Sequence, residues 1–136
     1  MPEAKKLVRV TVVLYRNPAL TEDEFHRYWS EVHGPLVRGW LARHGIVKYT
    51  QNHTPSKLRQ IMSQMNWQND AVNFDDADGT GEVWMESLES FGAATKDPYY
   101  IEKVVPDEKY LLDVSRIRMS IGYEEHHVEE GMVRES

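Results

Sequence analysis

Apolar and polar residues alternate from Lys6 to Tyr15, which predicts a strand with two unlike faces. Val8, Val10, Val12 and Leu14 make one face uniformly apolar, while Arg9, Thr11, Val13 and Tyr15 make the other polar and aromatic. The period then lengthens. Phe25, Tyr28, Trp29 and Val32 recur at helical intervals and predict a buried stripe. A full start signal precedes them. Thr21 and Glu24 stand at capping-box spacing, and Leu20 and Phe25 at that of a hydrophobic staple. Gly34 fits the left-handed position that closes a helix, and Pro35 keeps the helix from running on unbroken. Leu36 to Arg43 predicts a second short helix ending at Gly45.

Ile46 to His53 predicts the next strand, with Tyr49, Gln51 and His53 on one face. "HTPSKLRQIMSQM" restarts a helix with Thr54 as cap and Pro55 in the first turn. Its apolar side, Leu58, Ile61, Met62 and Met65, followed by Trp67, suits either core or a lid over a ligand. A polar Asp/Asn-rich loop leads to a strand over Gly81–Ser87, where Val83 and Met85 oppose Glu82, Trp84 and Glu86. Leu88 to Lys96 predicts a helix, Asp97-Pro98 caps another, and Pro106 to Val114 adds further helical structure. Arg116 to Tyr123 predicts the last strand. The order predicts an α+β fold, the ferredoxin-like βαββαβ arrangement. Its four-stranded antiparallel sheet has helices on one face and an extra helix between strands two and three. One domain is expected over 1–125, with 126–136 a loosely held charged tail.

Composition narrows the partners. The 136 residues suffice for one core. A net charge of -6 argues against nucleic acid and acidic membrane surfaces. Without cysteine there are no disulfides, thiolate nucleophiles or thiolate metal sites. No apolar run approaches the roughly 20 residues of a membrane span, so a cytoplasmic protein with no membrane partner is expected. The acidic loop resembles a calcium loop only superficially, since Phe74 and Met85 occupy its first and twelfth ligand positions. No metal is expected.

The histidines carry the candidate chemistry. His33 at a helix end is either a cation favoured by the macrodipole or a proton-transfer group. His53 is either a strand-end histidine or a second such group, partnered by Tyr49. His26, beside Glu22 and Ser30, reads as exposed; His44 reads as solvent-facing in its turn. His126-His127 reads as a solvated tail. The polar-aromatic sheet face has two solutions. It is a solvated surface of cross-strand ion pairs, or two sheets close over it to shelter a pocket.

"FHRYWSEVHGPL" resembles the signature of EthD-type proteins of the dimeric α/β-barrel superfamily, in which H-G-P-L closes the first helix. "DPYYIEKVVPDEKYLLDVS" is similar to that family's second block. The resemblance implies a homodimer whose sheets form a barrel, with a pocket in each subunit between sheet and helices. It also implies cofactor-independent chemistry on small phenolic or polyketide-like substrates. The inserted helix resembles the form found in fungal tailoring enzymes, decarboxylases and dehydratases of aromatic polyketide carboxylic acids. Cofactor-free monooxygenases, cyclases and isomerases, or a non-catalytic polyketide carrier, are the alternatives. On that reading His33 donates a proton, and Tyr49 or His53 hydrogen-bonds the charged oxygen. Tyr15, Trp84, Met62 and Trp29 form the ring slot, and Arg9 holds the carboxylate.

Overall fold

The computed structural model describes residues 6–65 and 73–135; Trp67 lies outside them. Four strands form one antiparallel sheet in the order β2-β3-β1-β4, from β1 (Val8–Leu14), β2 (Ile46–His53), β3 (Gly79–Met85) and β4 (Arg118–Tyr123). This is the ferredoxin-like order. β1 lies between β3 and β4, pairing Val10 with Val83 and with Ile121. β3 begins two residues before the expected Gly81, and a 3-10 turn over Val114–Arg116 takes the expected start of β4.

Helices cover the apolar face. α1 (Glu22–Tyr28) has the predicted capping box, with the Thr21 side chain accepting from Glu24 N–H and Glu24 accepting from Thr21 N–H. The chain then passes through one wide turn at Trp29–His33 and continues as α2 (Gly34–Arg43). Gly34 therefore does not terminate the helix. Its φ is -52°, and its N–H reaches back five residues to the Trp29 carbonyl. A proline ring in a regular helix clashes with the carbonyl four residues back. The wide turn accommodates Pro35 without breaking the rod.

That turn changes which side chain faces inward. An unbroken helix would bury Val32, seven residues after Phe25. The extra residue puts His33 there instead. His33 is 8% exposed and Val32 is 45% exposed. The same device recurs at Tyr100–Val104, before Pro106 and α5 (Val105–Leu111), where Val105 N–H reaches the Tyr100 carbonyl.

Two apolar clusters hold the layers together. Val37, Trp40 and Leu41 of α2 pack on Val10, Val83 and Met85, joined by Ala94 of α4 (Leu88–Lys96). Phe25 and Trp29 pack on Leu14 with Leu111 and Leu112. Burying residues of this size contributes roughly 1.5–3 kcal/mol each.

The inserted helix α3 (Ser56–Gln64) belongs to neither cluster. Its Leu58, Ile61 and Met65 are 52–68% exposed, so it is not core. Thr54 does not cap it; the Thr54 hydroxyl donates to the Ala77 carbonyl. Glu22 of α1 caps it from a distance, accepting from Ser56 N–H at 2.8 Å and Ser56 Oγ at 2.7 Å. The tail forms a two-stranded hairpin, β5 (Val128–Glu129) with β6 (Met132–Val133). Its turn residues Glu130 and Gly131 both have positive φ, as a tight type I′ hairpin requires. Among the described residues no helix is long and apolar enough to cross a membrane.

Candidate active site

A cavity of about 300 Å3 lies where the two apolar clusters meet, between the sheet and the helices. Val12, Gly81 and Val83 form its floor, and Trp29, Trp40, Phe91 and Leu111 its walls. Gly81 sits mid-strand, where glycine weakens a sheet. A Cβ there would make ordinary contacts with Leu14 and Trp29 at 4.0 Å, so a side chain fits and would take up room on the cavity floor. The volume lies at the small end of ligand pockets, roughly 300–1,000 Å3.

Five side chains with a hydroxyl, imidazole or carboxyl group interrupt the apolar lining: His33, Tyr49, Thr95, Tyr100 and Glu108. His33 is held from behind. Its Nδ1 lies 2.7 Å from Asp107 Oδ2, and the Tyr28 hydroxyl donates to the other oxygen, Oδ1. Burial, then the bond to Asp107, pushes the Tyr28 hydroxyl up to about 12, so it remains a donor. With Nδ1 donating to the carboxylate, Nε2 is the ring nitrogen left to exchange a proton.

Glu108, next to Asp107 on α5, also lines the cavity. Burial, reinforced by the neighbouring Asp107 charge, pushes its carboxyl up to about 7. It can deliver a proton at neutral pH.

Tyr49 belongs to a longer chain of hydrogen bonds. Gln51 Nε2 donates to the Trp29 carbonyl at 2.8 Å and to the Tyr49 hydroxyl at 3.0 Å. Its Oε1 must then accept, and His53 Nε2 lies 3.1 Å away. Burial lowers the pKa of both His53 and His26 and favours their neutral forms. Neutral His53 accepts at Nδ1 from His26 Nδ1 at 2.7 Å, which leaves His26 Nε2 buried without a partner among the described residues. At the near end, the Tyr49 hydroxyl accepts from Gln51 and keeps its own proton for the cavity. Burial raises its pKa, so it stays a phenol.

The structure thus brings together His33, Tyr49 and Trp29. His53 does not line the cavity; it stands behind Tyr49, because Gln51 intervenes on the same strand face. His26 is not on a free surface but bonded to His53. His44 is also paired, with Asp97 at 2.8 Å. Arg9, Trp84 and Tyr15 lie on the opposite face of the sheet, since Arg9 pairs in register with Trp84 and strand alternation points both away from the helices. There Trp84 donates to Glu124, and the Tyr15 hydroxyl donates to Asp75 and accepts from Arg118. Met62 is absent from the cavity lining as well, because α3 sits outside the layer of helices that roofs it.

Sequence reasoning missed Asp107 and Glu108. They lie 74 and 75 residues from His33, and only the acidic P-D-E run in the second family-like block pointed toward them. Among the described residues no three His, Asp or Glu side chains are grouped to hold a metal ion.

The EthD-domain profile matches residues 17–115. "Conidial pigment biosynthesis dehydratase EthD" of Metarhizium robertsii is 33% identical, over 97% of this chain and 92% of its own. "Dehydratase aurZ" of Gibberella zeae is 32% identical over 93% of this chain and 83% of its own. "Decarboxylase claH" of Passalora fulva is 29% identical over 93% and 81%. Among solved structures, an EthD family protein from Bacillus halodurans superposes with a TM-score of 0.58 at 15% identity, covering 88% of this chain and 99% of that one. A dimeric ferredoxin-like protein from Thermobifida fusca gives 0.55 at 10%, covering 88% and 92%. Both likenesses are of fold.

Proposed function

Because the chain belongs to the EthD family, we propose that it is a lyase that removes water from a β-hydroxy ketone on an aromatic polyketide, using protein side chains alone. The observation that carries this reading is the pairing of a base and an acid in one apolar cavity. His33 Nε2 takes the proton α to the ketone. The electrons move onto the ketone oxygen, where the Tyr49 hydroxyl donates a hydrogen bond to the enolate. Glu108, still protonated, gives its proton to the departing hydroxyl; the C–O bond breaks, the C=C bond forms and water leaves. His33 returns its proton to solvent and Glu108 regains one.

Asp107 contributes by orienting the imidazole and by stabilising its cation after proton transfer. The apolar walls strengthen both effects by excluding water. Decarboxylation, the activity named for some relatives, fits the lining less well. A substrate carboxylate would enter an apolar hollow beside Glu108, and neither Lys nor Arg lines it.

The test is incubation with a hydroaromatic polyketide acid that carries a β-hydroxy ketone, with analysis of product mass and gas. Loss of water with the carboxyl retained supports dehydration. Release of CO2 would assign decarboxylation instead, and oxygen uptake an oxygenase. Stoichiometric binding without turnover would make the protein a carrier.

The same reading takes the protein as a homodimer joined through the polar-aromatic sheet face. Sedimentation equilibrium at micromolar concentration should then give twice the chain mass of 15.9 kDa. The single-chain mass would contradict it.

A further inference from the structure

A second hollow opens beside the first. It holds about 400 Å3 between α2 and β2, lined by Ser30, Pro35, Arg38, Ile46, Lys48 and Tyr49 among others. β2 is an outer strand of the sheet, so this cleft lies along a sheet edge. Leu41 and Tyr49 belong to the walls of both hollows. The two hollows are thus neighbours, separated by no more than these two shared side chains.

The two hollows differ in charge. The inner one is lined by His33 and Glu108 and, among the described residues, by no Lys or Arg, with Asp107 behind the imidazole. The cleft is lined by Arg38 and Lys48 and, among the described residues, by no carboxylate. Lys48 is already engaged, its Nζ lying 4.4 Å from the centre of the Trp84 ring. Arg38 is exposed. Among the described residues Arg9, Arg16, Arg43, Arg116, Arg118 and Arg134 meet carboxylates; Arg27, Arg38 and Arg59 meet none, and of these three Arg38 lines the cleft.

A carboxylate placed in the inner cavity would lose its hydration and gain no cation. In the cleft it stays partly hydrated and meets a guanidinium whose fork matches its two oxygens. We infer that the cleft is a subsite for a carboxylate of the substrate, held by Arg38 while the reacting ketone lies in the inner cavity. This inference rests on the inner cavity being the catalytic site. It narrows the substrate to an aromatic acid whose carboxylate lies remote from the hydroxyl that is lost. The carboxylate is a handle and remains on the product.

Tryptophan quenching tests the subsite, since Trp29 and Trp40 line the inner cavity. The probes are an anthraquinone carboxylate and its methyl ester. Wild type binds the carboxylate roughly tenfold more tightly, equivalent to about 1.4 kcal/mol, and added salt reduces the difference. Arg38→Ala brings the acid down to the ester's affinity, Arg38→Lys keeps part of the preference, and Arg38→Glu reverses it. Arg38 is exposed, so these variants fold. His33→Ala keeps the full preference, because it removes the proton acceptor and not the handle. The subsite is overturned if wild type binds both probes alike, binds neither, or if Arg38→Ala keeps the acid preference. Failure of the dehydratase reading looks different: the carboxylate preference stays intact and no dehydrated product forms.

Discussion

The two faces of one sheet teach opposite lessons. β1 sends Val10, Val12 and Leu14 toward the helices and Arg9, Thr11 and Val13 the other way. The outward face is rich in aromatic and charged groups, yet those groups satisfy one another. Arg9 and Lys48 flank the Trp84 ring, Trp84 donates to Glu124, and Tyr15 lies between Arg116, Arg118 and Asp75. The helix-side face is mostly apolar, and its few polar groups are only half satisfied. Among the described residues His33 has a partner at Nδ1 but none at Nε2, and the Tyr49 hydroxyl accepts with no acceptor of its own. A polar group with an unspent valence facing a cavity can do chemistry. One fully paired contributes to packing.

The largest expected effect comes from His33→Ala. It should lower kcat by about 10²–10⁴, the usual worth of general acid–base catalysis. Arg9→Ala, on the other face, should leave kcat within about twofold. A comparable loss from both would erase the distinction between the faces.

Glu108→Gln should separate activity from stability. It removes the acid, so kcat falls by about 10² or more. In wild type kcat/KM should decline as pH rises through about 7, where Glu108 ionises, and the variant should lack that limb. The substitution should move stability opposite to activity. The folded pKa of about 7 lies above the ordinary carboxyl value of 4.5, so the folded state holds this proton more tightly than the unfolded one. Wild-type stability should fall as pH rises from about 4.5 to 7 and then stay lower, by about 3 kcal/mol. Glutamine carries no such penalty, and thermal melts above pH 7 should show the variant to be the more stable protein.

Gly81→Val fills the cavity from its floor. Binding of a planar ring ligand should weaken by at least about tenfold, while the melting temperature holds or rises, because valine suits a strand better than glycine does. Ring binding unchanged by this substitution would place the ligand elsewhere. The smallest effect belongs to Tyr15→Phe. It removes hydrogen bonds to Asp75 and from Arg118 and should cost about 0.5–1.5 kcal/mol of stability, with kcat unaltered.

How far each feature could be read from the chain depended on how local its cause is. The capping box at Thr21 and Glu24 is local, and so is the alternation that puts Tyr49, Gln51 and His53 on one face. Both are as the residues imply. Val32 and His33 exchange places because a single wide turn before Pro35 offsets the helical count, and periodicity assumes an unbroken rod. The apolar face of β1 correctly marks where the helices pack. The site was nonetheless expected to draw on Arg9, Trp84 and Tyr15, since sequence displays a side chain's chemistry and hides whether a neighbour has already used it. Asp107 and Glu108 escaped notice because α5 reaches the wide turn that carries His33 only in the folded chain, 74 residues on.

The account depends on Glu108 being a neutral acid inside a cavity that takes ligand. Carbon NMR of glutamate-labelled protein measures this directly, with Glu108→Gln used to assign the signal. The account predicts a midpoint near 7 that shifts when an aromatic ligand binds. A midpoint near the ordinary value of 4.5, with no response to ligand, would contradict it.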